Sequence, residues 1–144
     1  MNDTKIAVYD EPEQWPELLT VLREKITPSP TECDELITNV EDPIKYVAGI
    51  TYKHYPYLTI DHVILDKSVV TRSFITAVLE YCFTKNEVIR SFVKSSNTKS
   101  VKFMNQLGFV NEGKYRRYFS DGSDFLIFSM VKYEWNVNKH RRLN

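Results

Sequence analysis

The chain has 144 residues, 42% of them hydrophobic and 13% aromatic, and its 19 acidic and 19 basic side chains cancel to a formal net charge of zero. This describes one ordinary globular domain that can bury a core without staples, and no apolar run nears the roughly 20 residues of a membrane span. The start, MNDTKIAVYD, lacks the form of a signal peptide, and Cys33 and Cys82 make no metal or redox motif and read as buried, reduced thiols, so a cytoplasmic setting is expected.

In chain order, Lys5–Tyr9 reads as a short strand and Glu11–Ile26 as a helix. Pro12 is tolerated in that helix's first turn, acids crowd its start, and Trp15, Leu18, Leu19, Leu22 and Ile26 form its apolar stripe. Pro28 and Pro30 end the pattern. Residues 31–40 are ambiguous, since Thr31 can cap a helix while Leu36, Thr38 and Val40 alternate like a strand. The turn signal Glu41-Asp42-Pro43 favours a strand over 34–40 hairpinned to 44–53. Residues 57–65 (YLTIDHVIL) form the next strand, with an apolar end suited to a central position. Ser73–Phe83 follows as a buried helix and Glu87–Val93 as a strand.

The stretch from Ser95 to Trp135 is the most informative. Asn97 can cap a short helix, because its side-chain oxygen accepts from N–H groups that lack a partner in the first turn. Val101, Met104 and Leu107 fall on one face of that helix. Gly108 supplies the left-handed position that ends it, Phe109 restarts the chain as a strand, and a second strand follows a polar turn. The tail at 136–144 is polar and basic and is expected to be loose.

Charge is unevenly spread. Residues 1–66 hold 13 acids against 5 bases, and residues 67–144 hold 6 against 14. A basic half can surround an anionic ligand, whether nucleotide-like phosphates or nucleic acid. Two solvated halves that neutralise each other, within one molecule or between copies, account for the split equally simply.

The order of Asn-initiated helix, Leu107-Gly108-Phe109 stop and β-hairpin resembles the C-terminal half of the GNAT N-acetyltransferase superfamily. The succession of elements is similar along nearly the whole chain. The resemblance implies an α/β fold: a mixed, partly parallel twisted sheet of six to seven strands with helices on both faces, built from residues 1–135 as one domain. It further implies that 57–65 and 87–93 are neighbouring parallel strands that splay apart, with the pantetheine arm of acetyl-CoA in the opening.

In that family an Arg/Gln-x-x-Gly-x-Gly/Ala loop after the central strand brings backbone N–H groups to the pyrophosphate. The matching segment runs from Asp66 to Ile75, with Val70 at the Arg/Gln position and Ser73 and Ile75 at the small-residue positions. A register begun at Arg72 recovers Arg72 and Ala77 but puts Ile75 at the inner glycine. The resemblance assigns cofactor contact to Ile64, Leu65, Lys67, Val70, Thr71, Arg72, Ser73 and Asn97. Read without it, the segment is a capped helix start and Asn97 a helix cap.

The family's thiolate-protonating Tyr, four residues before the Gly, is replaced here by Met104, which cannot donate a proton. Tyr115, Tyr118 and Tyr133 on the closing hairpin are alternative donors, Tyr115 foremost, and each also reads as a strand aromatic. For a general base, Asp61 and His62 lie on 57–65 and point to opposite faces, so at most one of them meets a cleft. Lys94, Lys99, Lys102, Lys114, Arg116 and Arg117 mark either a solvated face or a contact for phosphate or nucleic acid. No nucleic-acid module, metal cluster, nucleophile elbow or P-loop accompanies them.

Two functional readings follow. One is an enzyme that transfers acetyl from acetyl-CoA to the amine of a small molecule or protein, with no metal, Asp61 or His62 taking the proton. The acidic N-terminal half would welcome a cationic acceptor. The other is a catalytically inactive GNAT-like scaffold, for which a degenerate phosphate loop is expected. Its short or missing second helix is also similar to bacteriophage-encoded GNAT-like proteins, including small internal virion proteins of short-tailed phages. That implies a phage or host protein partner and a place inside a virion. Exposed strand edges suit a homo-oligomer under either reading.

Overall fold

A computed structural model describes residues 6–11, 13, 15, 17, 20, 33–40 and 45–143. Seven strands form one sheet: β1 (Ile6–Tyr9), β2 (Glu35–Asn39), β3 (Tyr46–Thr51), β4 (Leu58–Ile64), β5 (Val88–Lys94), β6 (Val110–Tyr115) and β7 (Phe125–Val131). Their order across the sheet is β1-β2-β3-β4-β5-β7-β6. Every neighbouring pair is antiparallel except β4 and β5. Parallel neighbours need a crossover, and here it is helix α1 (Arg72–Phe83). Helix α2 (Thr98–Leu107) joins β5 to β6, and helix α3 (Lys132–Leu143) follows β7.

Alternation along the strands sorts the side chains into two faces. On the first, Tyr46, Ile50, Ile60 and Ile89 share a core with Phe74 and Val78 of α1, Met104 and Leu107 of α2, and Trp135 of α3. On the second, Leu36, Val47, Val63 and Cys33 make a smaller cluster flanked by Tyr9 and Trp15. Both cysteines are buried, as expected, and neither forms a disulfide. The helices described all pack on the first face. The expected helix over Glu11–Ile26 and the turn at 41–43 lie outside the described residues, apart from isolated positions such as Trp15.

Local chemistry sets the helix ends. Thr71 caps α1 through its hydroxyl, which accepts from the Phe74 N–H at 3.2 Å. Asn97 caps α2 in the same way, accepting from Ser100 at 3.2 Å. Gly108 closes α2 in the left-handed region at φ 95°, where the Phe109 N–H reaches back to the Met104 carbonyl. At the far end of α1, Glu35 is only 5% exposed. A charge so buried must be paired. Its carboxylate accepts from Tyr52 at 2.6 Å and from Tyr81, with the Lys85 ammonium 3.9 Å away. This cluster ties α1 to β2 and β3.

The tail departs from expectation. Instead of a loose segment at 136–144, the last strand stops at Val131 and α3 runs from Lys132 to Leu143. Glu134 accepts from the Val131 N–H at the turn into the helix. Trp135, 2% exposed, stacks on Phe83 and donates its indole N–H to Glu80. One buried indole therefore docks a helix whose composition is otherwise polar.

Gly108→Ala is expected to lower stability by about 1–2 kcal/mol, since an L-residue is disfavoured in the left-handed region. The check is urea denaturation, with the midpoint reduced and the m value unchanged.

Candidate functional site

The parallel pair β4 and β5 is joined only at Leu58↔Ile89 and Thr59↔Arg90. Beyond those positions the strands part, although β4 stays zipped to β3 through Ile64 and β5 to β7 through Lys94. The remaining edge of β4 thus turns backbone N–H and C=O groups toward an opening with no strand in it. Buried backbone polar groups need partners, so this edge can receive an extended, amide-bearing arm.

Asp61 and His62 sit on this stretch of β4 and meet opposite fates. His62 points to the helix face, where its ring lies 5.8 Å from Tyr46 and 5.6 Å from Phe103. Its Nδ1 shares a 3.1 Å hydrogen bond with the Tyr46 hydroxyl. Burial lowers its pKa to about 4, and burial likewise pushes the Tyr46 hydroxyl upward. Around His62 the core leaves a small cavity of about 10 Å³, lined by Ile60, Ile75, Met104 and Phe109 among others. That is barely room for one water molecule. His62 is a neutral core residue in this packing.

Asp61 points to the second face, opposite Gly49 on β3. It is partly buried, and desolvation raises its pKa to about 6. Among the described residues it makes no hydrogen bond or ion pair. A carboxylate that is dry, unpaired and set to ionise near neutral pH has the properties of a general base.

The segment after β4 is capped twice. Asp66 accepts from Ser68 at 2.9 Å to start a short 3-10 turn over Lys67–Val69, and Thr71 then starts α1. Several amides here are already committed. Leu65 donates to the Lys45 carbonyl at 2.8 Å and Val70 to the Lys67 carbonyl at 3.0 Å, so neither N–H of these two expected contacts is free for a ligand. The first N–H groups of α1, on Arg72 and Ser73, have no acceptor within the helix. They are flanked by the Thr71 and Ser73 hydroxyls, 3.3 Å apart, and by the exposed Arg72 side chain. Ile75 does not obstruct them, because its side chain is 4% exposed and faces the core.

Three other expected residues take separate places. Asn97 is engaged as the cap of α2, and Ile64 and Lys67 flank the exit from β4. Tyr115 is set well apart from β4 along the sheet. It ends β6, the outer edge strand, which β7 and β5 separate from β4. It packs 5.7 Å from Phe125 on the second face, whereas Met104 lies buried on the first. Tyr115 therefore does not take the place of the missing Tyr on α2.

Sequence reasoning missed Phe103, which precedes Met104 and fills the space beside His62. It also missed the contact of Tyr46 with His62, which depends on strand register. No helix among the described residues is long and apolar enough to cross a membrane, and no group of three or more potential metal ligands occurs among them.

No family model matches the chain, and no curated protein does. Solved structures do. The structure of smu.2055 from Streptococcus mutans UA159 aligns with a TM-score of 0.68 at 18% identity, over 89% of this chain and 99% of that one. A dodecameric spermidine N-acetyltransferase from Vibrio cholerae gives 0.67 at 15% identity, over 91% and 96%. A ribosomal-protein-S5-alanine acetyltransferase from Vibrio fischeri gives 0.53 at 18% identity, over 70% and 62%. None of these three is a phage protein. At such identities the likeness concerns architecture, and the architecture is the expected α/β fold of the GNAT acetyltransferases.

Asp61 and His62 pull stability in opposite directions with pH. The folded state keeps the Asp61 proton up to about pH 6, so its contribution is lost as pH rises from its ordinary value near 4. His62 stays neutral in the folded state down to about pH 4, so its contribution is lost as pH falls below its ordinary value near 6.5. Denaturation between pH 4.5 and 6.5 should therefore show a shallow slope for the native chain. His62→Gln should make stability fall with rising pH over that window, and Asp61→Asn should make it rise.

Proposed function

We propose that this chain is an acyltransferase of the GNAT type, which transfers the acetyl group of acetyl-CoA to a primary amine. The reaction class is aminolysis of a thioester: the N–C bond forms, the C–S bond breaks, and the acceptor ammonium gives up two protons, one to Asp61 and one through water to the departing thiolate. The observation that carries the reading is the unpaired, desolvated Asp61 on the very strand that parts from its parallel neighbour. The spermidine N-acetyltransferase and ribosomal-protein-S5-alanine acetyltransferase neighbours support the same class.

The residues present fit acetyl-CoA at two places. The amides of Arg72 and Ser73, with the Arg72 guanidinium and the hydroxyls of Thr71 and Ser73, suit an anionic diphosphate at a helix start. The unpartnered edge of β4 beyond Thr59 suits the amide groups of the pantetheine arm. When bound, the thioester supplies an activated acyl carbon. Asp61 then holds the acceptor ammonium by charge and takes its proton, since a base with a pKa near 6 matches a neutral working pH. With Met104 in place of a phenol, the thiolate draws its proton from water. Free strand edges at β1 and β6 leave room for self-association, in line with the dodecamer formed by the spermidine N-acetyltransferase neighbour.

One observation favours the second reading, a scaffold without catalysis. The helix side of β4 is closely packed around His62, beside Phe103 and Met104, leaving a cavity of only about 10 Å³. Binding separates the two. An active enzyme at a hundredfold excess of CoA over its dissociation constant gains about 2.7 kcal/mol of stability, seen as a higher melting temperature, and Arg72→Ala should remove most of that gain. No shift at millimolar CoA would leave only the scaffold.

For the enzyme, Asp61→Asn should lower kcat/KM by about 10²–10⁴-fold, the usual worth of a positioned general base. The native pH–rate profile should rise through an inflection near pH 6 that the variant lacks. Thiol release from acetyl-CoA measures both, and an unchanged profile in Asp61→Asn would exclude the assigned base.

A further inference from the structure

Resting on the enzyme reading above, we infer that the acceptor is a monoamine carried on a flat aromatic body, held by a wall of rings across the opening from Asp61. Counted on from the two bonded pairs, Leu58↔Ile89 and Thr59↔Arg90, Asp61 corresponds to Phe92 on the far side of the opening, and alternation puts both on the same face of the sheet. Phe92 begins a continuous ring surface. Its ring stacks on Phe125 of β7 at 5.2 Å, and Phe125 in turn meets Tyr118 at 4.8 Å and Phe119 at 6.3 Å. Phe92, Phe119 and Phe125 are only partly buried, and Tyr118 is 56% exposed. Core aromatics are normally covered, so rings left part-open beside an ionisable group form a surface that a ligand can complete.

Charge narrows the choice. The carboxylates at the end of this wall are already matched, Asp121 with Lys94 at 3.1 Å and Asp124 with Lys114 at 3.9 Å. Arg90 lies over the Tyr57 ring at 4.5 Å and bonds Ser129 at 3.2 Å. Among the described residues, Asp61 is thus the one carboxylate on this stretch of face without a cationic partner. A single ammonium completes it. A second ammonium, as in a polyamine, would approach Arg90, which has no carboxylate partner among the described residues, and be repelled. The rings offer stacking to the body of the amine, as Phe119 already does to the Lys94 ammonium at 5.0 Å. This selectivity differs from that named for the spermidine N-acetyltransferase neighbour.

The test uses 2-phenylethylamine, butylamine and spermidine with the purified full chain. Equilibrium binding by ligand-observed NMR, without acetyl-CoA, reads the inference; thiol release with acetyl-CoA reads the enzyme. Phenylethylamine is expected to bind at least tenfold more tightly than butylamine or spermidine. Tyr118→Ala, a change at an exposed side chain, should weaken phenylethylamine about 3- to 10-fold and leave butylamine unchanged. Asp61→Asn should weaken both monoamines. Binding with this pattern but no turnover of any amine upholds the ring site and removes the enzyme. Turnover or binding of spermidine at least as good as that of phenylethylamine, or indifference to Tyr118→Ala, overturns the inference and leaves the enzyme standing.

Discussion

The parting of two parallel strands is the constraint on which everything else in this protein rests. Strands β4 and β5 bond each other for two residues and then commit to different antiparallel partners, β3 and β7. Each half of the sheet is satisfied by its own ladder, so the sheet twists as two units about a shared seam. The crossover helix α1 lies over the seam and inserts Phe74, Ile75 and Val78, while α2 adds Met104 and Leu107 to the same core. Side chains from two helices hold the halves apart, and close packing there resists collapse of the opening.

That geometry also explains why adjacent residues on one strand differ so much. His62 enters the packed wedge, beside the Tyr46 hydroxyl, and loses its proton affinity to burial. Asp61 faces the side that those helices do not cover, dry enough to raise its pKa yet without a partner. A strand alternates its faces by two. One residue turns into the core and its neighbour turns away from it.

Much of the fold was legible. The cap at Asn97, the apolar positions Met104 and Leu107, and Gly108 at the helix end are local signals that need no distant contact, and each recurs in the structure. The strands at 57–65 and 87–93 were found by their apolar content, and their partial pairing follows from the arrangement the ending of the chain implied. The last helix was not legible, because Lys132–Leu143 is largely polar and its stability comes from one indole meeting Phe83 and Glu80. Nor was the placement of Tyr115, since only the strand order puts two strands between it and the opening.

The sequence by itself determined which residue types stand near the seam, that Asp61 and His62 point apart, and that no glycine-rich cradle follows the central strand. These depend on backbone period and on composition, which are local properties. Only tertiary structure decided which of the pair lies in the core, that Ile75 turns inward and away from the helix start, and that Phe92 and Phe125 join residues far apart in sequence into one ring surface. Such outcomes depend on which strands become neighbours, and neighbour choice is a property of the packed whole.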